Sequence, residues 1–282
     1  MNLLILGSNG YIGKHFVASP HKKMFDSIFA PSKSEVDLLD LVQLAKYLEA
    51  TEFDIIINCA GYLPHRHEKH YGYEINRFGS ANLVKALKIV DKTAPVIHFS
   101  SSTEIRIGSQ TESEYSASKI EGFENLLKAN VGINKPIIQV VLHNVIGKDT
   151  GSTNLLNQLI MSAKQELSIN IKFPNRIRDF VWIDDCIGGI AEVLRNVQSQ
   201  CEDLSLPVLS RYEIGSGIPI SIYELAVLVY KSRGVSLDYI KVDGLDVDPF
   251  PSIVANVAAK GTIICQTSLE SILQNIIEQG DV

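Results

Sequence analysis

The chain has 282 residues, 45% of them hydrophobic, and carries 26 Lys and Arg against 32 Asp and Glu for a net charge of −6. That supplies apolar material for one large or two modest domains, and the acidic balance excludes the broad cationic field that nucleic acid or anionic lipid requires. No run approaches the ~20 apolar residues of a membrane helix, and the four cysteines, Cys59, Cys186, Cys201 and Cys265, form no Cys-x-x-Cys pair, so reduced, mostly buried thiols are expected in place of zinc or disulfides.

The first predicted element is an apolar strand, Asn2-Leu3-Leu4-Ile5-Leu6, which runs into Gly7-Ser8-Asn9-Gly10-Tyr11-Ile12-Gly13 and then a helical pattern. No basic leader precedes that strand, so a cytoplasmic location is expected. In the turn, Gly7 permits a sharp change of direction, Gly10 leaves room for a pyrophosphate to approach the backbone, and Gly13 lets the new helix pack close to the strand. The helix then aims its unpaired N–H groups at the phosphates. The spacing, Gly-x-x-Gly-x-x-Gly, is a variant of the more familiar dinucleotide fingerprint.

Ser27 to Ala30 reads as a short second strand. Dinucleotide folds that take NAD place a carboxylate after it to hold the ribose 2′-OH. Here Ala30-Pro31-Ser32-Lys33-Ser34 offers hydroxyls and an ammonium, which suit a 2′-phosphate, with Glu35 able to reach the ribose if the register shifts. NADP(H) is therefore expected ahead of NAD(H), with Ser32 and Lys33 as its contacts. A helical run follows from Leu38 to Thr51, then the near-continuous apolar run Phe53 to Ala60, as in a parallel strand covered on both faces. Glu74 to Val90 reads as a helix, Val96 to Phe99 as a strand, Tyr115 to Ala129 as a helix and Pro136 to Leu142 as a strand. Alternation of this kind means right-handed crossovers, and hence an α/β, Rossmann-type doubly wound parallel sheet.

Past His143 the rhythm weakens. A helix from Asn154 to Gln165, a strand from Ile169 to Phe173 and a helix from Cys186 to Val197 are expected, and Ser221 with Glu224 spells a capping box. Residues 1–143 are expected to form the dinucleotide-binding domain, with 178–215 contributing further sheet elements. Residues 144–177 and 216–282 then form a small α/β substrate-binding lobe at the sheet's C-terminal edge, where open sheets hold ligands.

Tyr115 and Lys119, four apart on a predicted helix, project from one face. A fixed ammonium beside a phenol stabilises the phenolate and brings it into range for proton transfer at neutral pH. Ser102, at the end of the preceding strand, would hydrogen-bond the oxygen of the carbon that exchanges hydride. Ser102, Tyr115 and Lys119 are the catalytic candidates.

With these residues in place the sequence resembles the extended short-chain dehydrogenase/reductase family of nucleotide-sugar epimerases, dehydratases and reductases. The resemblance runs over nearly the full length and includes Asp54 to Ala60, Asn76 in Glu74-Ile75-Asn76-Arg77, Ser101-Ser102, Asn144-Val145-Ile146-Gly147, the stretch Arg178 to Asp185, and Glu213-Ile214-Gly215-Ser216-Gly217. It implies a cofactor site formed by Gly7, Asn9, Gly10, Tyr11, Ile12, Gly13, Ser32, Lys33, Asp37, Ala60, Gly61, Asn76, Tyr115 and Lys119. It implies substrate contacts from Glu104, His143, Asn144, Asn154 and Arg178, the last reaching a pyrophosphate through its planar fork. A homodimer would be usual.

There are departures too. Ile105-Arg106-Ile107-Gly108 stands where Val-Tyr-Gly is usual, His143 replaces a frequent arginine, only twelve residues separate Ser102 from Tyr115, and Asn256 to Lys260 replaces an Asp-x-Ser/Thr-Lys motif. The pair Thr103-Glu104 keeps the glutamate but lacks the aspartate of a dehydratase. His65-Arg66-His67-Glu68-Lys69-His70 misses the zincin spacing by one residue, so no metal is expected. Asp184 and Asp185 are read as structural, an N-cap for the next helix, and Trp182 as core. The implied activity is an NADP(H)-dependent reductase of a nucleotide-linked keto-deoxysugar. The alternatives are an NAD-dependent nucleotide-sugar epimerase or 4,6-dehydratase and, from another class, a non-catalytic nucleotide-sensing member of the fold.

Overall fold

Leu3 to Ile5 are fully buried, because the strand β1 (Asn2–Leu6) is covered on both faces and flanked in parallel by β2 (Ser27–Phe29) and β3 (Ile55–Asn58). The computed structural model describes residues 1–63, 69–107, 109–147, 154–203, 205–243, 248, 250 and 252–278. They divide into two units, Met1–Leu142 with Ile187–Tyr212, and His143–Cys186 with Glu213–Val282.

In the first unit α1 (Tyr11–Ala18) follows β1, α2 (Leu41–Ala50) follows β2, and α3 (Lys69–Ile89) follows β3. After α3 come β4 (Val96–Ser101), a small antiparallel hairpin of β5 (Arg106–Ile107) and β6 (Gln110–Thr111), α4 (Glu114–Asn130) and β7 (Ile137–Leu142). Leu44, Leu48, Leu83, Val84, Leu87 and Leu126 from three helices pack on Leu4, Leu6, Ile56, Val96 and Ile137 from the strands. Each such side chain contributes about 1.5–3 kcal/mol when fully buried. The α2 helix begins at Leu41, later than its apolar pattern suggests, because Asp37 and Asp40 intercept the preceding N–H groups. Asp37 Oδ1 accepts from Leu39 N at 2.9 Å, and Asp40 Oδ1 accepts from Val42 N and Gln43 N at 3.1 and 3.0 Å.

In the second unit β8 (Asn144–Ile146) pairs in parallel with β11 (Phe180–Trp182). The helix α5 (Leu155–Lys164) is capped by Asn154, and β9 (Ile169–Ile171) precedes β10 (Ile177–Arg178). The chain then returns to the first unit through α6 (Ile183–Glu202) and β12 (Leu209–Gly215), and the second unit resumes with β13 (Ile220–Ser221), α7 (Ile222–Ser232), β14 (Ile240–Val242), β15 (Ser252–Ile253), β16 (Thr262–Ile264) and α8 (Leu269–Glu278). The Ser221/Glu224 capping box is present. The central sheet is parallel and seven-stranded, in the order β2-β1-β3-β4-β7-β12-β16, so the α/β, Rossmann-like architecture is as the sequence implied.

Three local expectations change. The α3 helix starts at Lys69, ahead of Glu74. The α6 helix starts at Ile183, so Asp184 and Asp185 lie in its first turn and do not cap it: Asp184 Oδ2 accepts from Trp182 Nε1 at 3.2 Å and Asp185 Oδ2 from Thr267 N at 2.8 Å. None of the four cysteines is in a disulfide, but only Cys186 and Cys265 are buried, Cys59 and Cys201 being partly exposed at strand and helix ends.

Candidate active site

The glycine turn does its work through missing atoms. Gly7 has φ of +78°, and a Cβ there would lie 2.5 Å from Ala60 N, so the turn and the end of β3 meet backbone to backbone. A Cβ on Gly13 would meet Gly7 O at 2.5 Å, which is how α1 starts so close to β1. This packing opens a cavity of about 570 Å³ lined by Gly7, Ser8, Asn9, Gly10, Pro31, Lys33, Asp37, Cys59, Ala60 and Gly61, with Gly72 and Ile75 of α3. Lys33 and Asp37 thus both face it. Tyr11, Ile12, Gly13 and Asn76 are not part of the lining, and Ser32 gives its N–H and hydroxyl to Glu35 Oε2 at 2.8 and 2.7 Å. That turn holds Glu35 away from the cavity and lowers its pKa through the Ser32 hydrogen bonds; the acid that lines the cleft is Asp37.

The second cluster forms where β4 ends. Ser101 N donates to Glu104 Oε1 at 2.6 Å and Glu104 N donates back to Ser101 O at 3.0 Å, a reciprocal turn that folds the carboxylate under the strand end. Ser113 caps α4 by accepting from Ser116 N at 3.1 Å, which places Tyr115 in the first turn and Lys119 one turn on. Glu104 thereby sits in the electrostatic reach of both Tyr115 and Lys119. The hydroxyl within hydrogen-bonding reach of the Tyr115 phenol is that of Ser101. Ser102, one residue on, donates its N–H to Leu142 O at 2.9 Å. Sequence reading passed over Ser101 because in a run of three serines the strand end decides which hydroxyl points inward, and β4 extends to Ser101.

The electrostatics reverse one expectation. Lys119 Nζ donates to Phe99 O at 2.5 Å, and the Tyr115 phenol is not lowered by the ammonium: burial pushes it up, the Glu104 carboxylate adds to that, and Ser101 opposes it. Burial also lowers Lys119, against the pull of Glu104, and raises Glu104, against Lys119 and hydrogen bonds from Ser101 and Ser100. Arg211 on β12 acts on the same carboxylate and was not among the candidates, since nothing in its spacing marks it.

Beneath the cluster, α3 and α4 are fastened by Asn76. Its Oδ1 accepts from Tyr62 N at 2.8 Å and its Nδ2 donates to Ser118 Oγ at 3.0 Å, so it ties the loop after β3 to the catalytic helix. A Cβ on Gly122 would come within 1.9 Å of the Asn76 carbonyl oxygen, so the two helices touch backbone to backbone there. His98, beside this contact, is buried, stacked on Phe123 at 5.6 Å and joined through Nδ1 to Ser80 Oγ at 2.9 Å; burial and the nearby Lys119 hold its pKa well down.

In the second unit each predicted residue bonds a neighbouring group of the protein. His143 Nε2 donates to Glu213 Oε1 at 2.7 Å, and its Nδ1 lies 3.9 Å from Asp179 Oδ2. Asn144 Nδ2 donates to Asp179 O at 3.0 Å. Asn154 Oδ1 caps α5 by accepting from Asn157 N at 2.8 Å, while its Nδ2 is buried without a partner. Arg178 is buried, with Nη1 donating to Ile177 O and Phe250 O at 2.8 and 3.3 Å. Among the described residues no cluster of His, Cys, Asp and Glu could hold a metal, and no helix is long and apolar enough to cross a membrane. The side chains of the 65–70 stretch lie outside the described residues.

Three solved structures of similar shape carry out different reactions. A dTDP-glucose 4,6-dehydratase, DesIV from Streptomyces venezuelae, solved with NAD, superposes with a TM-score of 0.77 at 18% identity, covering 99% of this chain and 97% of its own. A dTDP-4-dehydrorhamnose reductase from Bacillus anthracis, solved with NADP, gives 0.74 at 19%, with 98% of each chain covered. A UDP-glucose 4-epimerase from Thermotoga maritima gives 0.76 at 15%, covering 99% and 98%. Identities this low speak for the fold alone. Among curated protein sequences none matches at a significant level. The model of the NAD dependent epimerase/dehydratase family, however, matches residues 3–206, most of the chain and every residue of the glycine turn and the Tyr115 cluster. The chain belongs to the NAD dependent epimerase/dehydratase family.

Proposed function

We propose that the protein is an NADP(H)-dependent reductase of a nucleotide-linked keto-deoxysugar. The observation that carries this reading is Lys33, which lines the cavity beside the glycine turn and suits a 2′-phosphate; Tyr115 is placed to give a proton to a carbonyl oxygen, and Thr103 stands where a dehydratase would carry an aspartate. NADPH, when bound, supplies the hydride. Gly7, Asn9 and Gly10 would hold its pyrophosphate, Lys33 its 2′-phosphate and Lys119 its nicotinamide ribose; the room left by the missing Cβ atoms fits such a ligand. Tyr115 delivers the proton, and Ser101 and Ser102 polarise the carbonyl. The second unit would hold the nucleotide sugar, with Arg178 meeting its phosphates alongside Asn144 and Asn154.

The decisive experiment pairs mass spectrometry of copurified cofactor with a screen of keto sugar nucleotides for NADPH oxidation. NADPH consumption matched by sugar reduction supports the reading. Tightly held NAD without NADPH consumption overturns it in favour of an NAD-dependent epimerase or 4,6-dehydratase, which the half-buried Glu104 beside Tyr115 would serve as a base. The reading carries with it a homodimer in the cytoplasm, checked by light scattering and by fractionation.

A further inference from the structure

Arg176 and Arg178, two apart on one strand edge, have different partners. Arg176 makes a bidentate pair with Asp248, Nε to Oδ2 at 2.5 Å and Nη2 to Oδ1 at 2.8 Å, with its guanidinium 4.5 Å over the Phe173 ring. The same Asp248 Oδ1 accepts from Phe250 N at 3.0 Å, so one carboxylate takes three donors and holds the Phe250 backbone to Arg176. Phe250 is buried, and its carbonyl oxygen accepts from Arg178 Nη1 at 3.3 Å. Beyond it the segment stays in step with β10: Ser252 and Ile253 pair with Ile177 and Arg178, and Ala255 N donates to Asp179 Oδ2 at 3.1 Å. Asp248, Phe250 and residues 252–255 thus form a strap stitched along β10, with Asp248 at its outer end.

We propose that Asp248 is a positioning residue for nucleoside-diphosphate binding: its pair with Arg176 anchors the strap whose Phe250 carbonyl orients the Arg178 guanidinium toward the phosphates. The inference rests on the reading of Arg178 as the phosphate-binding arginine. The physical reason is pre-organisation. An arginine has many rotamers, and a guanidinium already held in one orientation loses less freedom when an anion binds. A bidentate arginine–carboxylate pair is the kind of anchor that keeps its geometry.

The test measures binding of dTDP, UDP and GDP to the full-length protein by calorimetry for Asp248→Ala, Asp248→Glu, Arg178→Met and the Asp248→Ala/Arg178→Met double variant. NADPH binding and Tm are followed in each. The expected result is about tenfold weaker diphosphate binding in Asp248→Ala, partial recovery in Asp248→Glu, unchanged NADPH affinity, and no further loss when Asp248→Ala is added to Arg178→Met. A merely structural role would lower Tm and weaken binding equally in both backgrounds, and that result overturns the proposal. So does unchanged diphosphate binding in Asp248→Ala while Arg178→Met weakens it, which leaves the reading of Arg178 intact. Arg178→Met binding as tightly as wild type, or a wild type that binds none of the three diphosphates, removes that reading and the proposal with it.

Discussion

In the first unit ionisable groups meet each other: half-buried Glu104 and Tyr115 and buried Lys119 lie within electrostatic reach, and desolvation shifts all three, raising the first two and lowering the third. In the second unit one buried carboxylate is met by fixed donors, most of them backbone N–H groups. Asp179, fully buried, accepts from Ser216 N and Oγ at 2.9 and 2.6 Å, from Gly217 N at 2.9 Å and from Ala255 N at 3.1 Å. A charge saturated by fixed donors holds a shape, whereas charges that perturb one another remain available for proton transfer. The first arrangement is where chemistry is to be sought, and the second is what keeps a binding surface in place.

Substitutions that separate the two arrangements test this contrast. The largest effect is expected from Asp179→Ala, which strips a partner from four buried donors. With each hydrogen bond to a charged group contributing about 1.5–3 kcal/mol, the protein should lose most of its stability, read as collapse of the Tm or insolubility; a soluble variant with near-normal Tm would erase the distinction. Tyr115→Phe should do the opposite, with kcat down about a hundredfold and Tm and NADPH affinity unchanged; a variant keeping a tenth of its activity would remove Tyr115 from the chemistry. Lys33→Glu, facing the cofactor cavity, should weaken NADPH binding about tenfold without weakening NADH, as opposite charge becomes like charge at the 2′-phosphate; fluorescence titration of both cofactors decides it.

The smallest effect, and the most diagnostic in sign, belongs to Glu104→Gln. Because the folded-state pKa of Glu104 is raised by burial, its ionised form is disfavoured in the folded protein, so its contribution to stability is full below the unfolded pKa and is lost as pH rises through the folded one. Removing the charge should therefore raise the Tm by about 2 °C at neutral pH and by nothing at pH well below 4. It should also move the alkaline limb of the rate profile to lower pH, since the carboxylate helps hold Tyr115 protonated. Unchanged Tm and an unmoved limb would show that Glu104 and Tyr115 are not coupled.

Much of the first unit was legible in the sequence because its signals are local. Gly7, Gly10 and Gly13 declare a turn by what they lack, and Tyr115 and Lys119 declare a shared face by spacing. What escaped depends on register and tertiary packing: which of three serines ends the strand, that Ser32 ties Glu35 into its own turn, and that Arg211, far along the chain, reaches Glu104. In the second unit the residues were named but their partners were not, because Asp179 and Arg178 find theirs in backbone up to 76 positions away, a distance no local pattern encodes.

The contact between Gly122 and the Asn76 carbonyl turns α3 and α4 into a single mechanical part. Tyr115 and Lys119 ride on α4, so the distance they reach is set, one turn below them, by an atom that is not there. Any side chain at 122 would wedge the pair apart and tilt Tyr115 without touching it. The helix spacing works as a ruler, and the reactivity of the phenol is adjustable from a position that never meets a ligand.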